Sequence, residues 1–431
     1  MKRIFISLFF FIWTAAAADA SSKLLFIRWP TNPDAVWYSF RIIPVTEHFG
    51  RREMRPPVYE DKHVFRDSVI IEKEITDSYD GPGILCVQVK AISLDGQSIS
   101  AYSAPVPLER SAREMERIAP EIRVQYHEQN GTVLLYPAYS FVKIPHAVSY
   151  EVEITDKEPE NTDGYEPSVH RIYSGIVTVP ELFDEVPRLG TIWWRVRGLD
   201  ENGGPLGVWS KAERIVNDPA ENWETGIFGD SISHGGGRMS YSPADWPYNY
   251  AYYLDFPTMN MSRSGDETSD LLRRFDADVL PFRVRHLLIM GGTNNLRRGG
   301  TAEEVIADLE ALQEKCRANG IESVLLTIPP IAPVRILKYY HQPTAETWRE
   351  EFDKVNDWIR TQTYIDTAAP FSMYEEMPED FAADGLHPDK EAKEKIGKMI
   401  NEKFPEIKKG FLKQKRIREE NKRSVSKEVF S

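Results

Sequence analysis

One stretch of this chain occurs twice. Gln88 to Ile92 aligns without gaps to Arg195 to Leu199, and the match continues through Gly96 with Gly203, Tyr102 with Trp209 and Ser103 with Ser210, at a constant offset of 107. Upstream, Ala35 and Val36 followed by Tyr38, Phe40 and Ile42 are echoed by Ala147 and Val148 followed by Tyr150, Val152 and Ile154, at an offset of 112. Apolar residues in these stretches alternate with period two, and Asp95-Gly96 and Asn202-Gly203 are hairpin-turn pairs. The repeat predicts two copies of one β-sandwich unit, over residues 21–110 and 117–217. It leaves the second half of the chain to a different architecture.

That second half changes texture after Pro219, where short apolar runs begin to alternate with amphipathic helices, the pattern of a parallel sheet covered by helices. Thr225 to Phe228, Thr258 to Met261, His286 to Met290, Ser323 to Ile328 and Tyr364 to Ile365 read as five buried strands. Val305, Ile306, Leu309, Leu312 and Cys316 share one helical face; Trp348, Phe352, Val355 and Ile359 share another, and Ile396, Met399, Ile400 and Phe404 a third. These stripes are core positions. The boundary falls near residues 217–222, and the domain is expected over residues 220–405. Cys86 and Cys316 are the only cysteines and fall in different units, so neither a disulfide framework nor zinc-ligand spacing is present.

The ends have their own character. Lys2 and Arg3, an apolar run from Ile4 to Trp13 and small residues ending Ala18-Asp19-Ala20 have the layout of a cleavable secretory signal over residues 1–20. The apolar run is too short for a bilayer, which takes roughly 20 residues, and no cysteine near the cleavage region offers a lipid acceptor. The expectation is a secreted or periplasmic protein without a transmembrane anchor. From Lys408 to Lys427, nine Lys or Arg stand against two Glu, so residues 406–431 are expected to be a disordered, solvated tail, with attachment to an anionic envelope polymer as the alternative. The whole chain, with 53 basic and 66 acidic residues, is net −13, which argues against nucleic acid and favours a neutral or basic substrate or a neutral glycan.

Several residues of the second half are of types that carry chemistry. Ser231 follows the Thr225 to Phe228 strand, at the edge of an open sheet where reacting groups are displayed; taken alone, it reads first as a turn serine. The nucleophile elbow Gly-x-Ser-x-Gly is not met, because Ser233 stands at the last glycine position. His387 precedes Pro388, which is read as the first helical residue, so the imidazole is expected at a positive dipole end that favours its neutral form. Asp384 is spaced to accept from its Nδ1–H; the alternative is a helix cap and an Asp384-Gly385 turn. Asn294 and Gly265 follow two further strands and are candidates for oxyanion donors, or ordinary loop residues. His234 is a weaker rival base in the glycine-bearing loop Ser233 to Ser242, read as a flexible substrate lip. Ser242 to Asp245 reads as a helix start, and Trp246, Tyr248 and Tyr250 as core packing rather than a sugar wall.

The alternating strands and late Trp/Tyr-Ser of the repeated units resemble fibronectin type III-like modules. Taken together, Gly229-Asp230-Ser231, Ser264-Gly265-Asp266, Gly291 to Asn294 and Asp384 with His387 resemble, in order, the four blocks of the SGNH hydrolases, also called GDSL esterases. The resemblance covers roughly residues 225–404. It implies a three-layer α/β/α fold of flavodoxin-like type, with Ser231 as nucleophile, His387 as base and Asp384 as its orienter. It further implies an oxyanion hole from Ser231, Gly265 and Asn294, and no metal or organic cofactor. Asn295 departs from the family, where Asp commonly follows the block Asn. The expected activity is hydrolysis of a small-molecule or polysaccharide ester, O-acetyl groups on a glycan first among them. The alternatives are an O-acyltransferase with the same triad, or a glycan-binding or surface-adhesion protein whose hydrolase-like domain is inactive.

Overall fold

Alternation decides the first unit. In the strand Trp37–His48, Tyr38, Phe40 and Ile42 point to one face, and the strand pairs antiparallel with Ile84–Ile92 on one side and with Tyr59–Phe65 and Arg51–Met54 on the other. A second sheet holds Leu24–Arg28 between Ser68–Glu72 and Ala112–Glu114. Leu25, Ile27 and Ile71 of this sheet, with Trp29 just beyond its first strand, pack against Tyr38, Phe40, Ile42 and Val87 of the other, so the two sheets close on one apolar core. The computed structural model describes residues 23–123, 133–162, 164–221, 223–237 and 241–429, with side chains of the last helix through residue 413. The expected signal segment lies outside the described residues. Among them, no helix is long and apolar enough to cross a membrane.

The second unit repeats the plan with Ser149–Thr155 between Arg171–Val177 and Gly190–Leu199. The offset of 107 is visible in hydrogen bonds: Val89 N donates to Ser103 Oγ (3.2 Å) while Ser103 N donates to Val89 O (2.8 Å), and Val196 N donates to Ser210 Oγ (3.0 Å) while Ser210 N donates to Val196 O (2.8 Å). Tyr102 and Trp209 then lie under arginines, Arg41 at 3.6 Å from the first ring and Arg197 at 4.5 Å from the second. The repeated serine ties a late loop onto a central strand in both copies.

The remainder is a parallel sheet of six strands: β1 (Val133–Leu134), β2 (Thr225–Gly229), β3 (Met259–Asn260), β4 (His286–Met290), β5 (Glu322–Leu326) and β6 (Tyr364–Ile365), in the order β1-β3-β2-β4-β5-β6. From β2 onward this is the flavodoxin-like order, which reverses between β2 and β4. Phe228, Leu287, Ile289 and Leu325 face helices α2 (Thr268–Asp278), α4 (Ala302–Ala318) and α5 (Trp348–Ile359); Ile227, Leu288, Met290, Val324 and Leu326 face α6 (Lys390–Val429). Strands buried on both faces explain the continuous apolar runs of the sequence.

Four expectations are corrected. The sheet has six strands rather than five, because β1, from within the second β-unit's range, pairs parallel with β3, Val133 with Met259 and Leu134 with Asn260. The boundary near residues 217–222 is therefore crossed by main-chain hydrogen bonds. Residues after 406, expected to be disordered, continue helix α6 to Val429; Lys, Arg, Gln and Glu are good helix formers, so polarity alone does not exclude helix. Helix α6 begins at Lys390, which leaves Pro388 ahead of the first helical residue and His387 on the preceding loop. Ser242 to Asp245 starts no α-helix: Ser242 N donates to Asp245 Oδ2 at 3.0 Å, and a 3-10 turn follows at Trp246–Tyr248. Trp246, Tyr248 and Tyr250 are buried.

Candidate active site

At the point where the strand order reverses, the loops after β2, β3 and β4 converge at the carboxyl edge of the sheet. The loop after β2 turns at once into the short helix α1 (Ser231–His234), capped by Asp230, whose Oδ1 accepts from Ile232 N at 2.9 Å. Ser231 is thus the first residue of a helical turn, with its hydroxyl at the sheet edge. Asp230 is buried, and burial pushes its carboxyl up to about 6. Beneath the same turn lies Lys393 of α6, fully buried, donating to Ile232 O; burial lowers its ammonium to about 7.

The facing loop supplies the second half. Gly385 has φ +80, and a Cβ there would stand 2.6 Å from Ala332 O, so only glycine fits the turn that presents Asp384 and His387. Asp384 is fully buried. Its Oδ1 accepts from Leu386 N and His387 N, both at 2.8 Å, and its Oδ2 from His387 Nδ1 at 2.9 Å and Tyr340 Oη at 2.6 Å. Burial would raise this carboxyl, but the charge of His387 and these hydrogen bonds outweigh it and hold the group at about 2. A carboxylate acceptor places the ring proton on Nδ1, so Nε2 accepts from the Ser231 hydroxyl, 3.0 Å away. Hydroxyl, imidazole and carboxylate form one continuous chain across two loops that are 156 residues apart in sequence at the serine–histidine contact.

The remaining candidates line the same cleft. The N–H groups of Ser231 and Gly265 meet no acceptor among the described residues. Asn294 sits in helix α3 (Thr293–Arg297); its Nδ2 donates to Asp266 O at 2.9 Å and keeps its second hydrogen, while its Oδ1 accepts from Arg297 Nε at 3.1 Å. That arginine fixes which end of the amide faces the cleft. Asn295 accepts from Thr268 N at 3.0 Å and so ties the β4 loop to the start of α2. An uncharged amide oxygen is sufficient for that contact.

His234, the rival base, is committed elsewhere. Its Nε2 donates to Tyr136 O at 2.7 Å, and its Nδ1 accepts from Ser264, whose Oγ lies at 2.9 Å. Burial lowers its imidazole to about 4, which suits a permanently neutral ring holding the Gly265 loop in place. The glycines beside it are packed rather than loose: at Gly235, φ +118, a Cβ would stand 2.8 Å from Asn249 Nδ2. Close approach, not flexibility, is what that loop requires of them.

Sequence reasoning missed three contributors. Tyr340 ends a helix with no motif around it. Arg297 follows Asn294 by three residues, the spacing that puts two side chains on one helix face, so a signal existed. The third is the β-units themselves. Phe65 and Arg66 of the first, and Val179 to Glu181 with Phe183 of the second, line the roughly 600 Å³ cleft together with Ser231, Asn294 and His387. Arg66 is buried and pairs with Glu181 at 2.7 Å and with Asp245, which joins the first unit, the second unit and the α/β domain at one ion-paired point. A hydroxyl, a neutral imidazole oriented by a buried carboxylate, and free N–H donors around one cleft can carry out acyl transfer.

Residues 227–395 match the GDSL-like lipase/acylhydrolase family. No curated protein matches the chain. Among solved structures, a GDSL-like lipase from Bacteroides thetaiotaomicron is 16% identical, covering 44% of this chain and 90% of its own, with a TM-score of 0.36. A lipase/acylhydrolase from Enterococcus faecalis is 24% identical, covering 42% and 94%, with a TM-score of 0.34. A catalytic mutant of an acetylxylan esterase from Geobacillus stearothermophilus is 18% identical, covering 41% and 92%, with a TM-score of 0.33. TM-scores this low carry no argument about substrate.

Proposed function

We propose that the GDSL-like lipase/acylhydrolase domain of residues 227–395 works as a serine esterase on O-acetyl groups of a glycan, in an exported protein whose two front units are fibronectin type III-like modules. The observation that carries the reading is the unbroken relay from Ser231 Oγ to His387 Nε2 at 3.0 Å and from His387 Nδ1 to Asp384 Oδ2 at 2.9 Å. Ser231 Oγ attacks the ester carbonyl carbon as its proton passes to His387 Nε2. The oxyanion takes hydrogen bonds from Ser231 N, Gly265 N and Asn294 Nδ2. Collapse breaks the bond to the alcohol, which leaves with the proton held by His387; water then attacks the acyl-enzyme by the same path, releasing the acid and restoring the serine. Asp384 stays ionised and stabilises the imidazolium formed between these transfers. Support for a bulky carrier comes from the cleft, whose walls include the exposed side chains of Phe65, Val179 and Phe183. The test is acetate release by the purified full-length protein from a panel of acetylated polysaccharides, with p-nitrophenyl acetate alongside. Turnover abolished by Ser231→Ala is the expected result; no release from any ester, together with tight glycan binding, would replace this reading with that of a binding protein.

A further inference from the structure

Charge around the cleft is not what the net charge suggests. Three arginines line it, against one acid, Glu181, in a chain of net −13. Two of them are neutralised: Arg66 by Glu181 and Asp245, Arg298 by Glu267 at 3.0 Å. The third, Arg297, is 5% exposed and forms no ion pair among the described residues. Its Nε donates to Asn294 Oδ1 and its Nη1 to Gln342 Oε1, both at 3.1 Å, and both acceptors are uncharged amides. Nη2 has no hydrogen-bond partner among the described residues, and the side chain lines the cleft.

A guanidinium withdrawn from water without an ion-pair partner is costly, and arginine stays charged at any working pH. Burial and the neighbouring charge of Arg298 lower the pKa of Arg297, while the charges of Asp230, Tyr340 and Glu267 oppose them without cancelling them. The N–H groups of the unpaired Nη2 suit a carboxylate acceptor, and the residue that carries them lines the cleft. Because Nε is bonded directly to the Asn294 amide, any anion on Nη2 sits within about one side chain of the oxyanion position.

We propose that Arg297 is a specificity residue that selects esters bearing a carboxylate next to the scissile bond. The inference rests on the esterase reading and names its substrate class. The carboxylate belongs either to the alcohol side, as in an O-acetylated uronic acid, or to the acyl side, as in a hemisuccinate of a neutral sugar. Arg297 also steadies Asn294, so its loss slows every ester by a common factor; selection is read from ratios.

The experiment measures kcat and KM of the full-length protein on an O-acetylated hexuronate and its carboxyl-reduced counterpart, on a sugar hemisuccinate and the matching butyrate ester, and on p-nitrophenyl acetate. A charge-assisted hydrogen bond corresponds to roughly 10- to 100-fold in kcat/KM, so wild type should favour the charged member of one pair by that factor, mostly through KM. The pair that shows it identifies which side carries the carboxylate. Arg297→Gln should bring that ratio to about one, and Arg297→Lys, which keeps the charge but not the fork, should retain part of it. Turnover of p-nitrophenyl acetate with no preference in either pair overturns the proposal alone, as does a preference that survives Arg297→Gln. No turnover of any ester overturns the esterase reading and this inference with it. Absence of a preference in wild type overturns the proposal even if a variant does not fold.

Discussion

Tyr340→Phe removes a hydroxyl that donates to the buried carboxylate of the relay at 2.6 Å and lies 3.1 Å from His387 Nδ1. Asp384 is fully buried and held at about 2, with burial opposing and the His387 charge, the Tyr340 hydroxyl and two backbone N–H groups favouring ionisation. A carboxyl whose folded pKa lies below its unfolded value of ~3.9 stabilises the fold above that value and loses the contribution as pH falls through its folded pKa. For Asp384 the contribution is at most roughly 2–3 kcal/mol, of which the share from the His387 charge exists only with the imidazolium, and it is lost between about pH 5 and pH 1. The 2.6 Å bond from Tyr340 is one of four accepted by this group, and a hydrogen bond to a charged acceptor contributes about 1.5–3 kcal/mol. Removing it should raise the Asp384 pKa towards the ordinary carboxylate range while leaving the group ionised at pH 7. Urea unfolding should therefore show a loss of about 1.5–3 kcal/mol at pH 7 that shrinks as the pH is lowered to about 3, because wild type then loses the same contribution. The relay keeps its charge, so kcat on an activated ester should fall by less than about tenfold, or roughly 1.4 kcal/mol of barrier. An equal stability loss at both pH values, or a fall in kcat of a thousandfold with the fold intact, would refute the reading that Tyr340 acts chiefly through the carboxylate rather than through its 3.1 Å contact with His387 Nδ1.

Ser231→Ala and His387→Ala each remove an indispensable part of one relay, so the double variant should be little slower than either single one in steady-state assays; multiplicative losses would argue that the two groups do not act together. Asn294→Ala should reduce kcat by roughly 10²–10³ with KM little changed, since the Ser231 and Gly265 N–H groups remain; a loss confined to KM would move Asn294 to ground-state binding. A truncation beginning at residue 220 removes β1 and Tyr136, which accepts from His234 and donates to Asp278 at 2.6 Å. It should lack a cooperative thermal transition by circular dichroism, whereas melting at the full-length temperature would show that the front units are dispensable for folding.

What the sequence disclosed and what it withheld follow from the range of each signal. The repeat was legible because both copies need the same serine to tie the same loop, and Ser103 and Ser210 make equivalent bonds. Strands β2 and β4 were legible because burial on both faces forces continuous apolar runs. The relay residues stand in short motifs at strand ends, so their order alone suggested one site. Strand β1 has two residues, too few to show any period, and its partner β3 lies more than 120 positions later. Tyr340 and Phe65 reach the cleft through tertiary packing that leaves no local pattern. Arg297 had the right spacing from Asn294, but spacing on a helix face does not say whether a counter-charge will be present. The tail was misread because composition reports solvation, while helix propensity is a separate property of the same Lys, Arg and Glu residues.

The parallel pairing of β1 with β3 bears on how the molecule is assembled. During synthesis the β-units emerge first, and β1 belongs to a segment anchored on the second of them, where Asn217 Nδ2 donates to Leu134 O at 2.9 Å. The parallel sheet, when it forms, finds one edge already templated, so part of the entropy of a long-range strand pairing has been met before its partner is translated. The same contact covers the β3 edge, which in a free-standing sheet would present unpaired main-chain groups to another chain. An α/β domain cut from this protein and fused to another scaffold would have to carry residues 133–136 with it, or be redesigned along β3 to stand in solution alone.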